Sequence, residues 1–223
     1  MDTGDDAFKL VFGGGSHDLV LVDAPQNIYH TKDETFWRLK FDSTQEIWTL
    51  TTKDGTTHRF GANADSKAIA LATDLTTQVT YKYLLDEVKT TGGTAVRYAY
   101  AKQSATIPST GKSYDQAVYP DLITYTYHNG NLIGPAREVR FLRSNRNDYT
   151  DTSSPTSTAY FERYKLDAIE VRVGTDLVRK YAFGYDYSID RDPTHTWGGG
   201  ATGDLTLKTV TMYGTDGPQA FPR

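Results

Sequence analysis

The stretch Tyr83-Leu84-Leu85-Asp86-Glu87-Val88-Lys89-Thr90-Thr91-Gly92-Gly93-Thr94-Ala95-Val96-Arg97-Tyr98-Ala99-Tyr100 is an apolar run, a glycine turn and a second run ending in aromatics. That is how a β-hairpin reads. Its skeleton, Tyr-x-Leu-Asp-x-[Val/Ile]-x4-Gly-x2-[Val/Leu]-x3-Tyr, falls on Tyr83, Leu85, Asp86, Val88, Gly93, Val96 and Tyr100. It recurs with every offset kept at Tyr164, Leu166, Asp167, Ile169, Gly174, Leu177 and Tyr181. A hairpin used twice points to architecture rather than to a single catalytic centre.

Outward from these copies, short alternating runs bounded by turn residues continue in both directions, and almost no stretch sustains a helical period. Strands are expected at 7–12 and 18–23 around Gly13-Gly14-Gly15-Ser16, then at 36–41, 47–52 and 56–60. Lys53-Asp54-Gly55 supplies a turn before the last of these, because Gly accepts positive φ. Further strands are expected at 79–89, 95–102, 122–127, 132–142, 161–173, 177–187 and 205–213, with Gly134-Pro135 breaking or bulging its strand. Residues 62–74 are the one candidate helix, with Asn63, Asp65 and Ser66 as capping residues, though a loop reads almost as well. Long loops are expected near 103–120, 144–158 and 190–203. The two pattern copies lie too far apart for a solenoid of about 20–45 residues per unit.

Composition agrees with a β protein. Aromatics make up 13% of the 223 residues, with sixteen tyrosines against nine phenylalanines. Tyr suits strands with one packed and one wet face, having an apolar ring and a polar tip. The formal charge of −4 and a pI near 5.7 give no footprint for nucleic acid or an anionic membrane. No apolar run approaches the roughly 18 residues of a membrane span. Zero cysteines exclude disulfides and thiolate chemistry.

Several segments together resemble a known bacterial family. The hairpin Leu85, Val88, Gly93, Tyr98, Tyr100 is similar to the unit of RHS/YD-repeat proteins. The stretch Trp48-Thr49-Leu50-Thr51-Thr52-Lys53-Asp54-Gly55-Thr56 with Arg59-Phe60-Gly61, then Tyr119-Pro120 with Ile123 and Tyr125, resembles the region before the regular repeats. So do Arg137-Glu138-Val139-Arg140-Phe141, Leu166-Asp167-Ala168-Ile169-Glu170-Val171 and Thr209-Val210-Thr211-Met212-Tyr213-Gly214 with Asp216-Gly217-Pro218. The large secreted members concerned are the toxin-complex B-type and SpvB-like proteins. The Tyr-Asp dipeptide of regular repeats occurs only at Tyr114-Asp115 and Tyr185-Asp186, with irregular spacing, and the autoproteolytic core of many members has no match. The resemblance implies hairpins stacked edge to edge into a curled sheet, a shell or scaffold role around a toxic cargo, and a chain continuing beyond Phe221-Pro222-Arg223.

The residues offer few chemical alternatives. His17, His30, His58, His128 and His195 sit in separate segments without metal-ligand spacing, and no nucleophile elbow is present. A β-sandwich glycosidase would need two carboxylates about 5–10 Å apart in an aromatic groove. Asp33, Glu34, Asp86, Glu87, Glu162, Asp167 and Glu170 are the acids in reach of strands, and the bland account of them is solvated faces. The acids of 186–192 lack the glycine-permitted turn of a calcium loop. Arg137, Arg140, Arg143 and Arg146 form the one basic cluster, better suited to salt bridges across a sheet than to a nucleic-acid track.

The expected fold is all-β: antiparallel β-hairpins stacked into a curled sheet or sandwich, one domain over 1–223 or two sheets meeting near 103–120. The expected function is a non-catalytic structural segment of a large exported shell or toxin-scaffold protein, without cofactor or metal. Its partners would be flanking segments of the parent and an enclosed toxin domain, in a secreted or cell-surface setting. The alternative is a β-sandwich module binding a glycan through Trp37, Trp48 and Trp197, and the third reading is a glycoside hydrolase.

Overall fold

A computed structural model describes residues 8–149, 154–189, 203–215 and 217–219. Its strands are β1 (Lys9–Phe12), β2 (Gly15–Asp23), β3 (Ile28–Thr31), β4 (Arg38–Asp42), β5 (Ile47–Thr51), β6 (Thr57–Phe60), β7 (Lys67–Leu71) and β8 (Gln78–Tyr83). They continue with β9 (Leu85–Lys89), β10 (Thr94–Thr106), β11 (Ser113–His128), β12 (Asn131–Asn145), β13 (Tyr164–Val173), β14 (Asp176–Ile189), β15 (Asp204–Gly214) and β16 (Gly217–Gln219). Fourteen of them form one antiparallel sheet in chain order, except that β6 pairs directly with β9. The skipped β7 and β8 form a separate two-stranded hairpin. The fold is therefore all-β, an open meander of antiparallel hairpins.

Directly paired residues share a face, so the ladders assign the two sides of the sheet. One face carries the row Leu39–Leu50–His58–Val88–Val96–Tyr125–Arg137–Val173 across eight strands. Beside it run Tyr98–Ile123–Val139–Val171–Arg179 and Phe141–Ile169–Tyr181–Met212. This face is predominantly apolar. The opposite face carries Arg59–Glu87–Arg97–Thr124–Glu138–Arg172 and Leu122–Arg140–Glu170–Lys180–Tyr213. Here alternating charges neutralise one another: Arg97 Nε lies 3.0 Å and Arg59 Nη1 3.6 Å from Glu87. Glu170 meets Arg172 Nε at 2.9 Å and Lys180 Nζ at 3.3 Å. Burial alone would raise the Glu170 carboxyl, but the two cations outweigh it and hold it below its ordinary value.

The core occupies one end of this sheet. Leu10, Leu39, Trp48 and Leu50 are buried, with Phe8, Phe12, Tyr29, Phe41 and Phe60 packed around them. Edge-to-face ring contacts such as Phe8–Trp48, at 5.0 Å between centroids, tie β1 over the apolar face of β4 and β5. Toward β11–β15 the same face continues without a covering layer among the described residues. Ile123, Val139, Phe141, Ile169, Val171 and Met212 are all only half-buried, and Val210 is exposed.

Several expectations are corrected. Residues 62–74 form no α-helix: a one-turn 3-10 helix at Ala64–Ser66 leads directly into β7. There Ser66 Oγ accepts the N–H of Asn63 (3.1 Å) and donates to its carbonyl (2.9 Å), so the capping residues are used on a single turn. The loop expected near 103–120 is only residues 107–112, because β10 and β11 run through the rest and pair from Thr94/His128 to Thr106/Ser113. The main sheet is continuous there, and the second sheet is β7–β8 instead. Of the stretch 144–158, β12 takes the first two residues, and of 190–203 only Gly203 lies among the described residues.

Candidate functional site

The two pattern copies form hairpins, β9–β10 and β13–β14, and both turn glycines adopt left-handed backbone, φ +85° at Gly93 and +59° at Gly174. Their registers differ. Val88 faces Val96 in the first, whereas its counterpart Ile169 faces Tyr181 in the second. The causes are turn length and a bulge: Lys89 pairs with Ala95 across Thr90 to Thr94, while Val173 pairs with Asp176 across only Gly174-Thr175, and the second ladder shifts by one more residue between Val171 and Arg172. The equivalent tyrosine is displaced accordingly. Tyr100 Oη donates to Leu85 O (2.7 Å), and in the second copy Tyr185, not Tyr181, donates to Leu166 O (2.6 Å). Burial pushes the Tyr100 hydroxyl up to about 12.

The two aspartates also part company. Asp86 is 0% exposed and accepts from Arg59 Nε (2.6 Å), Ala62 N–H (2.5 Å) and Ser66 Oγ (3.3 Å). Its side chain thereby clamps the point where the chain leaves the main sheet. Asp65 supports the same corner by accepting Tyr100 N–H (2.8 Å). Asp167 is a surface residue, its side chain 34% exposed and paired with Lys165. Tyr83 and Tyr164 stand before the strand proper in one copy and at its start in the other, as β8 ends at Tyr83 and β13 begins at Tyr164.

A second set of anchors holds segments that lie off the main sheet. Asp115, nearly buried, accepts Ile69 N–H (2.8 Å), Lys102 Nζ (2.8 Å) and Ser104 Oγ (2.7 Å), which fixes the β7–β8 hairpin against β10 and β11. Its neighbour Tyr114, 2% exposed, brackets Ala159: the hydroxyl accepts Ala159 N–H (2.8 Å) and donates to its carbonyl (3.2 Å). Buried Gln103 donates to Gln116 Oε1 and to Phe161 O, both at 3.0 Å, and accepts Arg163 N–H (2.9 Å). Gln116 donates to Ala159 O (3.1 Å). Farther along, burial would raise Asp148, but the bidentate Arg146 (2.6 Å to each oxygen) and Leu205 N–H (2.7 Å) hold it below its usual value.

The structure does not gather the tryptophans onto an exposed platform. Trp48 is 5% exposed in the aromatic core, Trp37 is half-buried edge-on to Phe12 and His17, and Trp197 lies outside the described residues. The strand carboxylates Asp86, Glu87, Asp167 and Glu170 each face a cation. Within the arginine cluster, Arg140, Arg143 and Arg146 pair with Glu138, Asp121 and Asp148. Among the described residues no three His, Asp or Glu side chains gather to hold a metal ion, and no helix is long and apolar enough to cross a membrane. A cleft of about 640 Å³ lies between β1, β8 and the core floor of Leu39, Trp48 and Phe60. Sequence reasoning missed Gln103, Gln116 and the anchoring roles of Tyr114 and Asp115. The Tyr114-Asp115 dipeptide was visible, but inside a stretch expected to be loop.

The architecture has known counterparts. No match to a curated protein emerges from the sequence, whereas seven chains of solved structures match the fold. One is the N-terminal domain of effector protein SpvB from Salmonella typhimurium strain LT2, with TM-score 0.54 and 13% identity, covering 93% of this chain and 72% of that one. Another is the TcdB2-TccC3-Cdc42 structure, with TM-score 0.51 and 14% identity, where 96% of this chain corresponds to 12% of the other. At these identities the likeness speaks for the fold. The family model of the Salmonella virulence plasmid 65kDa B protein, SpvB, matches residues 25–159. That span runs from just before β3 to the Ala159 anchor, more than half of the chain, and the protein accordingly belongs to the SpvB family.

Proposed function

We propose that this chain is a non-catalytic structural segment of a large exported protein of the shell or toxin-scaffold kind, related to the RHS/YD-repeat proteins. The observation that carries the reading is the asymmetry of the main sheet. Its charged face is internally neutralised by ion pairs within and between strands, while the apolar face over β11–β15 has no covering layer among the described residues. A contiguous apolar surface of this kind marks a place where further polypeptide packs. Flanking segments of a parent chain, or a toxin domain enclosed by it, are the partners proposed for that face. The likeness to one part of the TcdB2-TccC3-Cdc42 structure supports the reading, since there a sheet of this fold is 12% of a much longer chain.

The test is the behaviour of the isolated chain. It should bind a hydrophobic dye and self-associate as concentration rises, and Val171→Glu with Ile169→Glu should suppress both while leaving the β spectrum intact. A chain that binds no dye and stays monomeric at high concentration would count against the scaffold reading.

A further inference from the structure

Among the described residues two strand edges are open on either side of the cleft: β1 pairs only with β2, and β8 only with β7. The phase of each ladder says which backbone groups point outward. Leu19 donates N–H to Phe8 O (3.0 Å), which makes Phe8/Leu19 and Leu10/His17 the hydrogen-bonded pairs. Lys9 and Val11 therefore turn their N–H and C=O away from β2. In β7–β8, Ala72 donates to Thr77 O (2.9 Å), so Ala70/Val79 is a bonded pair and Ile69/Thr80 is not. The N–H of Ile69 agrees with that phase, since it leaves the hairpin to reach Asp115. Thr80 thus directs its N–H and C=O away from β7.

Consecutive residues of both strands, Lys9 to Val11 and Thr80 to Tyr83, border the cleft. A wall of consecutive rather than alternate residues is a strand edge, not a sheet face. Its volume of about 640 Å³ is within the range of spaces that hold ligands, and its floor is apolar. Free backbone groups beside an apolar floor are the two ingredients of β-strand addition: main-chain bonds hold the guest, and the floor takes alternate side chains.

Charge decides the kind of guest. Lys82 has no ion-pair partner among the described residues, and Lys9 has only the exposed Asp18 at 3.4 Å. Lysine on an edge disfavours pairing with a like edge. A second copy would set lysine against lysine, whereas an acidic strand would neutralise both. We propose that the cleft between β1 and β8 binds an extended segment of another polypeptide, which adds as a strand to the Thr80 edge. The guest seats alternate apolar side chains over Trp48 and sets carboxylates against Lys9 and Lys82.

The experiment titrates the chain with a short capped peptide of alternating glutamate and valine, read by calorimetry and by amide hydrogen exchange. The expected result is saturable one-to-one binding with slowed exchange at Thr80. Thr80→Pro removes the outward donor but leaves the Val79 ladder bonds, and should weaken binding about tenfold. Lys82→Glu should also weaken it, and a lysine–valine peptide should bind that variant better than the wild type. Absence of saturable binding overturns the proposal, as does binding that neither variant changes. Protection of Thr80 that grows with protein concentration alone would assign the cleft to a second copy and also overturn it.

Discussion

Replacing Asp86 by alanine should destabilise the protein far more than the same change at Asp167, although the two occupy identical places in the sequence pattern. The Asp86 carboxylate is fully buried, and its loss leaves Ala62 N–H without an acceptor and the Arg59 guanidinium without its closest anion, while Ser66 Oγ keeps Asn63 O. Removing one member of a buried ion pair costs about 3–5 kcal/mol. The Arg59 side chain is 36% exposed and keeps Glu87 at 3.6 Å, so water and the second carboxylate recover part of that. The expected cost is about 3 kcal/mol, shared between the orphaned Ala62 N–H and the weakened Arg59 pairing. Asp167 holds Lys165 and Ser144 Oγ (2.9 Å) at a solvated edge, where loss of the contacts costs under about 1 kcal/mol. Urea titration followed by tryptophan emission reads both variants, and the Asp86→Ala midpoint should fall by about 1 M or more. Equal shifts, or a larger one for Asp167→Ala, would refute the view that Asp86 clamps the exit to β7 while its counterpart is a surface residue.

Other perturbations probe separate parts of the fold. Asp115→Ala should loosen the β7–β8 hairpin, seen as faster amide exchange at Ile69 with little change in β13 and β14; uniform acceleration would contradict the local anchor. Tyr100→Phe and Tyr185→Phe should each cost about 1 kcal/mol in urea melts, since each removes one hydroxyl-to-carbonyl bond. If Tyr185→Phe is neutral, the proposed equivalence of these two tyrosines fails. Gly93→Ala and Gly174→Ala should each be destabilising, because both glycines hold left-handed backbone; Gly93→Ala should cost more, since its Cβ would also displace the exposed Asn129 side chain (Oδ1 at 2.2 Å), whereas at Gly174 the nearest atom is Pro135 Cβ at 3.6 Å. Burial against Phe12 lowers the His58 imidazole below its ordinary value. The unfolded chain then takes up a proton first as pH falls through about 6.5, so His58 withdraws stability on acidification. His58→Phe should flatten the fall in urea midpoint between neutral and mildly acidic pH; an unchanged slope would place the effect elsewhere.

The hairpins at 83–100 and 164–181 were legible because alternation and a turn glycine are local signals. Their registers were not, because ladder phase depends on how many residues the turn consumes and on bulges: residues 90–94 and 174–175 differ in number, and the second ladder shifts again at Val171/Arg172. The β7 strand, Lys67-Ala68-Ile69-Ala70-Leu71, alternates in the sequence but follows residues that also suit a helix cap, and Asn63 and Ser66 do cap a turn there. Pro108 and Gly111 marked a real turn whose extent was overestimated, as nothing local shows that Thr106 and Ser113 are already paired. The bulge expected at Gly134-Pro135 falls where the pairing passes from Tyr125/Arg137 to Tyr127/Leu132. Gln103 could not be read as an anchor, because its partners Phe161 and Arg163 are distant in the chain and become neighbours only once β10 to β13 are aligned.

The scaffold reading is tested most directly by cysteine protection, since these 223 residues contain no cysteine. Single cysteines at Val139 and Val171 would report the apolar face, and one at Thr209 the opposite face. In the dilute isolated chain all three should react with a thiol reagent, the exposed Thr209→Cys fastest and the half-buried Val139→Cys and Val171→Cys more slowly. Within a longer protein of the proposed scaffold kind, taken as the parent, Val139→Cys and Val171→Cys should become strongly protected while Thr209→Cys stays reactive. Equal reactivity of Val139→Cys and Val171→Cys in the isolated chain and in the parent would contradict the account.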